Sequence, residues 1–155
     1  MKMQKATLTT APTREEMVRL LNEDLAREYQ AIIAYVVYSQ VLKGAAYNNI
    51  AKELEKHATE ELDHALRISK QIDYFGGMPV VVPKQVKTSE DPKEMLGFDL
   101  DNEQETIKNY RQRIQQAEAM GEYALSEELR EIIVQEQEHL MDLADALGID
   151  APQIR

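Results

Sequence analysis

The sequence predicts an all-α fold: a bundle of four long helices, paired as two antiparallel hairpins that one long crossover joins. Three observations point there. Helix-forming residues dominate, and Gly and Pro fall in a few places that cut the chain cleanly. Between the cuts, apolar residues recur in alternating steps of three and four, as on a helix with one buried face. The middle connection is far longer than the other two.

The first helix starts at a capping box, Thr13 with Glu16 three residues on, and stops near Gly44. The second runs from about Tyr47 to Phe75 and ends at Gly76-Gly77. The third opens with Asp91-Pro92-Lys93-Glu94, a cap followed by Pro at the first helical position and an acid at the third, and closes at Gly121. The fourth runs from about Glu122 to Leu147 and ends at Gly148, with Pro152 beyond. The short first and third connections make antiparallel hairpins. The crossover, Gly77 to Glu90, differs in kind. A helix of about 29 residues is roughly 43 Å long, and about 14 extended residues cover up to about 50 Å. That reach starts the third helix parallel to the second, with Val80-Val81-Val82, flanked by Pro79 and Pro83, as an extended strap on the outside. Residues 13–148 form the bundle on this reading, 1–12 a flexible N-terminal arm and 149–155 a short C-terminal tail.

Each helix carries one apolar seam. The first reads Val18, Leu21, Leu25, Glu28, Ile32, Tyr35, Ser39, Leu42; the second reads Tyr47, Ile50, Leu54, His57, Glu61, His64, Ile68, Phe75. The third gives Leu96, Leu100, Glu103, Ile107, Tyr110, Ile114, Ala117, and the fourth Leu125, Leu129, Ile132, Glu136, His139, Leu143, Ala146. Glu and His interrupt these seams near their middles. Burying four carboxylates and two imidazoles without a counter-charge costs several kcal/mol per ion. Two divalent cations would balance the four carboxylates.

The spacing is an independent argument. Glu28 to Glu61 is 33 residues, and so is Glu103 to Glu136. Glu61 and Glu136 each open a Glu-x-x-His motif, ending at His64 and His139. A shift of 75 residues superimposes the halves and also maps Leu21 onto Leu96, Tyr35 onto Tyr110 and Leu54 onto Leu129. Such a repeat implies two similar hairpins around an approximate two-fold axis. Glu and His three apart share a helix face, so each motif can hold one ion.

Composition narrows the function classes. A chain of 155 residues makes one domain with a real core. The absence of Cys rules out disulfides, thiolate metal sites and thiol nucleophiles. A formal charge of −10 repels nucleic acid and attracts cations. Met1 to Pro12 lacks the apolar run of a signal peptide, and the longest apolar stretch, Ala31 to Tyr38, is too short to span a bilayer. The expectation is a cytoplasmic protein with no nucleic-acid or membrane partner.

These residues resemble the ferritin-like di-iron carboxylate proteins, and bacterioferritin most closely, from about Val18 to Leu147. Gly77-Met78-Pro79 and Glu94-Met95-Leu96 in and after the crossover resemble bacterioferritin too. The resemblance implies that Glu28 and Glu103 each hold one iron terminally, with His64 and His139, while Glu61 and Glu136 bridge the pair. Three positions depart from the relatives. Leu62 stands where bacterioferritin's haem-binding Met follows the bridging Glu, so no haem is expected. The residues after Gly148 leave no room for the short fifth helix of many cage ferritins, which leaves the subunit number open. Thr106 stands where rubrerythrin-type peroxidases carry an extra Glu.

The ligand types suit iron or manganese. With iron, the resemblance implies a ferroxidase and iron-storage protein that oxidises Fe(II) with dioxygen or hydrogen peroxide. The alternative is a non-storage di-iron or di-manganese peroxidase or oxidase in oxidative-stress defence. A mini-ferritin that protects DNA fits less well, because one chain supplies all six ligands and its charge is acidic. Tyr35, two turns after Glu28, and Tyr110 in the matching place are candidates to bond a ligand carboxylate or donate an electron; a satisfied core phenol is the other reading. His57, one turn before Glu61, either passes iron with Glu60 or Glu53 or is a polar residue near the bundle's end. Ile33, Val37 and Val41 form a stripe off the seam that fits an interface, so a homo-oligomeric cage is expected.

Overall fold

The structure is a computed structural model that describes residues 10–155; most of the expected N-terminal arm lies outside them. Four helices follow in order: α1 Arg14–Val41, α2 Asn48–Tyr74, α3 Pro92–Ala119 and α4 Tyr123–Leu147, with one 3-10 turn, Ala45–Tyr47, between the first two. The capping box at Thr13 and Glu16 is formed in both directions, and the Asp91 side chain accepts from the backbone N–H of Lys93 to start α3. Gly148 ends α4 with φ 69°, and the Ile149 N–H then reaches back to the Ala144 carbonyl at 3.1 Å.

α1 packs chiefly on α2, and α3 on α4, so each sequence-adjacent pair is a hairpin. The crossover runs along α1 from its first turns to its last. Asn22 holds it at both ends of one peptide stretch, donating to the Met78 carbonyl at 3.1 Å and accepting from Val80 N–H at 2.8 Å. Lys84 N–H then bonds the Ala26 carbonyl, Gln30 the Gln85 carbonyl, and the Tyr38 hydroxyl the Lys87 carbonyl. Climbing beside α1 in this way, the strap delivers Pro92 to the far end of the bundle and makes α3 parallel to α2. Gly77 is the tight point at its start: a Cβ there would stand 2.3 Å from Cγ1 of Val18.

Two apolar clusters fill the bundle, one toward each end. Tyr38, Ile50, Leu54, Met95, Leu96 and Leu143 lead one; Met17, Leu21, Ile72, Leu125, Leu129 and Ile132 lead the other. The polar belt lies between them, closed off from water on both sides. Fully burying each such side chain contributes about 1.5–3 kcal/mol, the gain that offsets a charged middle.

Two expectations are corrected in detail. Met17, not Val18, is the buried residue of the first turns of α1; Val18 is half-buried against Gly77. On the outer stripe Val37 packs partly against the core, and Val36 is exposed beside Ile33 and Val41. A helix buries a face wider than one row, so a residue adjacent to the seam can displace a seam residue. No helix among the described residues is long and apolar enough to cross a membrane.

Candidate metal centre

All six residues singled out from the seams meet at mid-height of the bundle, and all are buried. α1 supplies Glu28, α2 Glu61 and His64, α3 Glu103, and α4 Glu136 and His139. They form two overlapping groups whose ligating atoms lie within 4.8 Å of one another: Glu28, Glu61, His64 and Glu136 in one, Glu61, Glu103, Glu136 and His139 in the other. Glu61 and Glu136 belong to both. Nδ1 of His64 is 2.7 Å from Glu136 and 3.6 Å from Glu28; Nδ1 of His139 is 2.8 Å from Glu61 and 3.7 Å from Glu103.

Those approaches are close in distance but not aligned as hydrogen bonds. Both Nδ1 atoms, both oxygens of Glu61 and of Glu136, and one oxygen each of Glu28 and Glu103 are buried with no hydrogen-bond partner. Native interiors pair the large majority of such atoms and leave only a few orphaned per 100 residues. Here a whole set converges, with the donor types and number that two divalent ions require, four around each and two carboxylates shared. The residues fit a di-metal centre.

The electrostatics fit as well. Burial raises Glu61 and Glu136 well above the usual carboxylate range, reinforced by the charge of Glu28 at the one and of Glu103 at the other. Burial also works to raise Glu28 and Glu103. Contact with Glu61 and His64 outweighs it at Glu28, and contact with Glu136 and His139 holds Glu103 at about 2. The imidazoles would be lowered by burial, but Glu136, Glu28 and Glu61 raise His64, and Glu103 raises His139 to about 9. By itself the cluster therefore favours charge on Glu28, Glu103 and the two imidazoles and disfavours it on the shared pair of carboxylates.

Tyr35 and Tyr110 are also part of the site, and they reach across it. The Tyr35 hydroxyl donates to Glu103 at 2.5 Å, and the Tyr110 hydroxyl donates to Glu28. Each phenol thus steadies the unshared carboxylate of the opposite hairpin. His57 is likewise drawn in: its ring stacks on His139 with centroids 4.0 Å apart, and its Nε2 lies 3.1 Å from Asp142. Burial and the neighbouring His139 push His57 down to about 4. The far nitrogen of His64, Nε2, bonds Gln135 at 2.6 Å, while that of His139 faces Glu60 at 3.7 Å.

Sequence reasoning missed Asp24, Asp99 and Arg113, all buried. Arg113 clasps Asp24 through two hydrogen bonds of 2.7 and 3.1 Å. Asp99 has an oxygen with no partner, and burial together with the charge of Glu103 raises it well above the usual range. The signal was present: Asp24 and Asp99 obey the same 75-residue shift as the six clustered residues.

Comparisons with known proteins agree with this geometry. The sequence model of the ferritin-like domain matches residues 18–150. A ferritin-like di-iron carboxylate protein from Bacillus anthracis superimposes with a TM-score of 0.83 at 35% identity, over 86% of this chain and 96% of that one. The bacterioferritin-related dodecameric thioferritin from Bacteroides fragilis superimposes with a TM-score of 0.81 at 27% identity, covering 88% and 86% of the two chains. A bacterioferritin from Brucella melitensis is 24% identical over 135 residues, 86% of this chain and 84% of that one.

Proposed function

The chain belongs to the ferritin-like domain family, and on that premise we propose that it oxidises Fe(II) at a di-iron centre within each subunit and stores the product. The observation that carries the proposal is the convergence of orphaned buried donors on two four-ligand groups that share Glu61 and Glu136. Iron is the substrate here. Two ferrous ions give up one electron each, which with two protons reduce dioxygen to hydrogen peroxide, or peroxide to water. Glu28 and His64 hold one ion, Glu103 and His139 the other, and the shared carboxylates keep the pair close enough to act on one oxidant. Unbranched Glu side chains can change binding mode as the iron charge rises. Tyr35 and Tyr110 keep Glu103 and Glu28 oriented while the shared carboxylates move. The same donors accept Mn(II).

Storage requires an assembly. The dodecamer named for the Bacteroides relative supports a homo-oligomeric cage, as does exposed apolar surface on α1, where Ile33 with Tyr29, Ile32, Val81 and Pro83 lines an open hollow of about 370 Å³. The net charge of −10 suits a cytoplasmic cation store.

The test is to add Fe(II) in air to the metal-free protein in rising amounts, then measure particle size and retained iron. Fast oxidation of two ions per chain, followed by retention far beyond two in a large particle, supports a storage ferritin. Saturation at two in a small oligomer moves the function to peroxide or oxygen reduction. Loading should also displace protons from the clustered donors. Binding heats measured in buffers of different ionisation enthalpy read their number. Because protons compete for the same donors, affinity should rise as pH climbs toward about 9, the value of His139.

A further inference from the structure

The two imidazoles of the centre face the ions alike, but the groups behind them differ. An imidazole that gives Nδ1 to a metal carries its proton on Nε2, and whatever accepts that proton tunes the ligand. Behind His64 the acceptor is an uncharged amide: Gln135, on α4, lies 2.6 Å from Nε2. Behind His139 stands a carboxylate, Glu60 on α2, 3.7 Å from Nε2. That Nε2 is buried and has no hydrogen-bond partner among the described residues. His57 does not serve it, because its ring stacks on His139 and its own Nε2 meets Asp142.

The 75-residue shift carries Glu60 onto Gln135, so acid and amide hold equivalent places. Each stands one residue before a shared carboxylate and reaches across to the histidine of the other hairpin. The six clustered residues are identical under that shift, and so are Tyr35 and Tyr110; this pair is not. An amide answers a growing charge on the ring with a dipole, a carboxylate with a full unit of charge. The Glu60 side chain is 17% exposed, so it keeps part of its hydration while its charge acts across one ring. Because Nε2 of His139 has no other bond, Glu60 can close the gap as the ring becomes a stronger donor.

We propose that Glu60, a positioning residue acting through His139, makes the ion on that side the first of the pair to give up an electron. The proposal rests on the di-metal reading above. Fe(III) carries one more positive charge than Fe(II), so a nearby anion stabilises it more, and the neutral Gln135 does so less. When one electron has left the pair, the ferric charge rests beside His139 and Fe(II) remains beside His64. A unit charge across one ring, partly screened by water, favours that arrangement by about tenfold, or about 59 mV in a one-electron potential. The near-symmetric donor set thus holds an unequal pair, oxidised in a fixed order.

The experiment withdraws electrons without oxygen. The metal-free protein is loaded anaerobically with two Fe(II) per chain, and an electrode with mediator dyes removes the electrons stepwise. Crystals poised after one electron per chain are read by site-resolved anomalous scattering across the iron edge, which lies at higher energy for Fe(III). The ferric edge should belong to the ion beside His139. Glu60→Gln, an isosteric change, should raise the first potential by about 59 mV, the tenfold preference converted. Gln135→Glu should lower it, and Gln135→Leu, which removes a bond but no charge, should move it less than Glu60→Gln does. A ferric edge beside His64, equal edges at the two ions, or an unchanged potential in Glu60→Gln overturns the proposal and leaves the di-metal centre intact. Fewer than two Fe(II) retained per chain before oxidation overturns the di-metal reading and this proposal with it.

Discussion

The two halves of the bundle agree at the centre and diverge one layer out. The 75-residue shift reproduces Glu28, Tyr35, Glu61 and His64 as Glu103, Tyr110, Glu136 and His139, so both ions would meet the same atoms. Around them the charges part. On the His64 side, two arginines, Arg67 and Arg113, stand against Asp24, Glu128 and Glu131. On the His139 side, the 75-residue shift puts Tyr38 and Asp142 where the arginines were and Lys56 where Glu131 was, with Asp99 and Glu53 matching Asp24 and Glu128. The centre tolerates little variation because each proposed ion would need a full set of donors. The surround is free to specialise, one side sealed by fixed cations and the other left acidic and open.

Four substitution sets break or sharpen that comparison. Glu61→Ala and Glu136→Ala should do the most and should do it equally, since each removes a carboxylate that belongs to both four-residue groups. Iron oxidation per chain should fall by at least about a hundredfold in both, more than the loss expected for an outer-shell partner. A large inequality between them in stopped-flow assays would show that the two ions are not bridged alike.

Next in size is the contrast between Arg113 and the group in its mirrored place. Arg113→Leu strands the buried carboxylate of Asp24 and should cost about 3–5 kcal/mol in chemical denaturation. Tyr38→Phe should cost about 1 kcal/mol, for one hydroxyl hydrogen bond to the Lys87 carbonyl. Asp99→Asn should change stability by less than about 1 kcal/mol, because burial already favours the uncharged acid.

How much of this was legible follows from where each residue sits relative to the seams. The six clustered residues were readable because they interrupt an apolar row, and a buried charge in such a row demands a counter-charge. The helix order, the caps and the strap were readable because Gly, Pro and capping residues mark ends by local chemistry. Asp24 and Asp99 were not, since each lies one residue before a seam leucine, and a single row of steps three and four passes over it. The crossed pairing of Tyr35 with Glu103 could not be read either. Periodicity places a residue on a face, but only the packing of α1 against α3 decides which carboxylate its hydroxyl meets. Asp142 gave no signal at all, being one more acid on the outer part of an acidic helix.

Smaller effects follow. Tyr35→Phe and Tyr110→Phe each remove one hydrogen bond to a ligand carboxylate, and each should slow oxidation by about tenfold. Unchanged kinetics for Tyr35→Phe would remove it from the mechanism. If Tyr35→Phe alone alters the spectrum formed during oxidation, the acidic half holds the electron donor. The smallest effect belongs to Arg67→Gln, which loosens a partly exposed ion network and should cost less than about 1 kcal/mol in thermal melting.

The most direct measurement is anomalous diffraction at the iron edge from crystals loaded with Fe(II) without oxygen. Two peaks per chain are expected, one beside Nδ1 of His64 and Glu28, the other beside Nδ1 of His139 and Glu103, with Glu61 and Glu136 reaching both. A single peak, or peaks away from these six side chains, would contradict the di-metal centre.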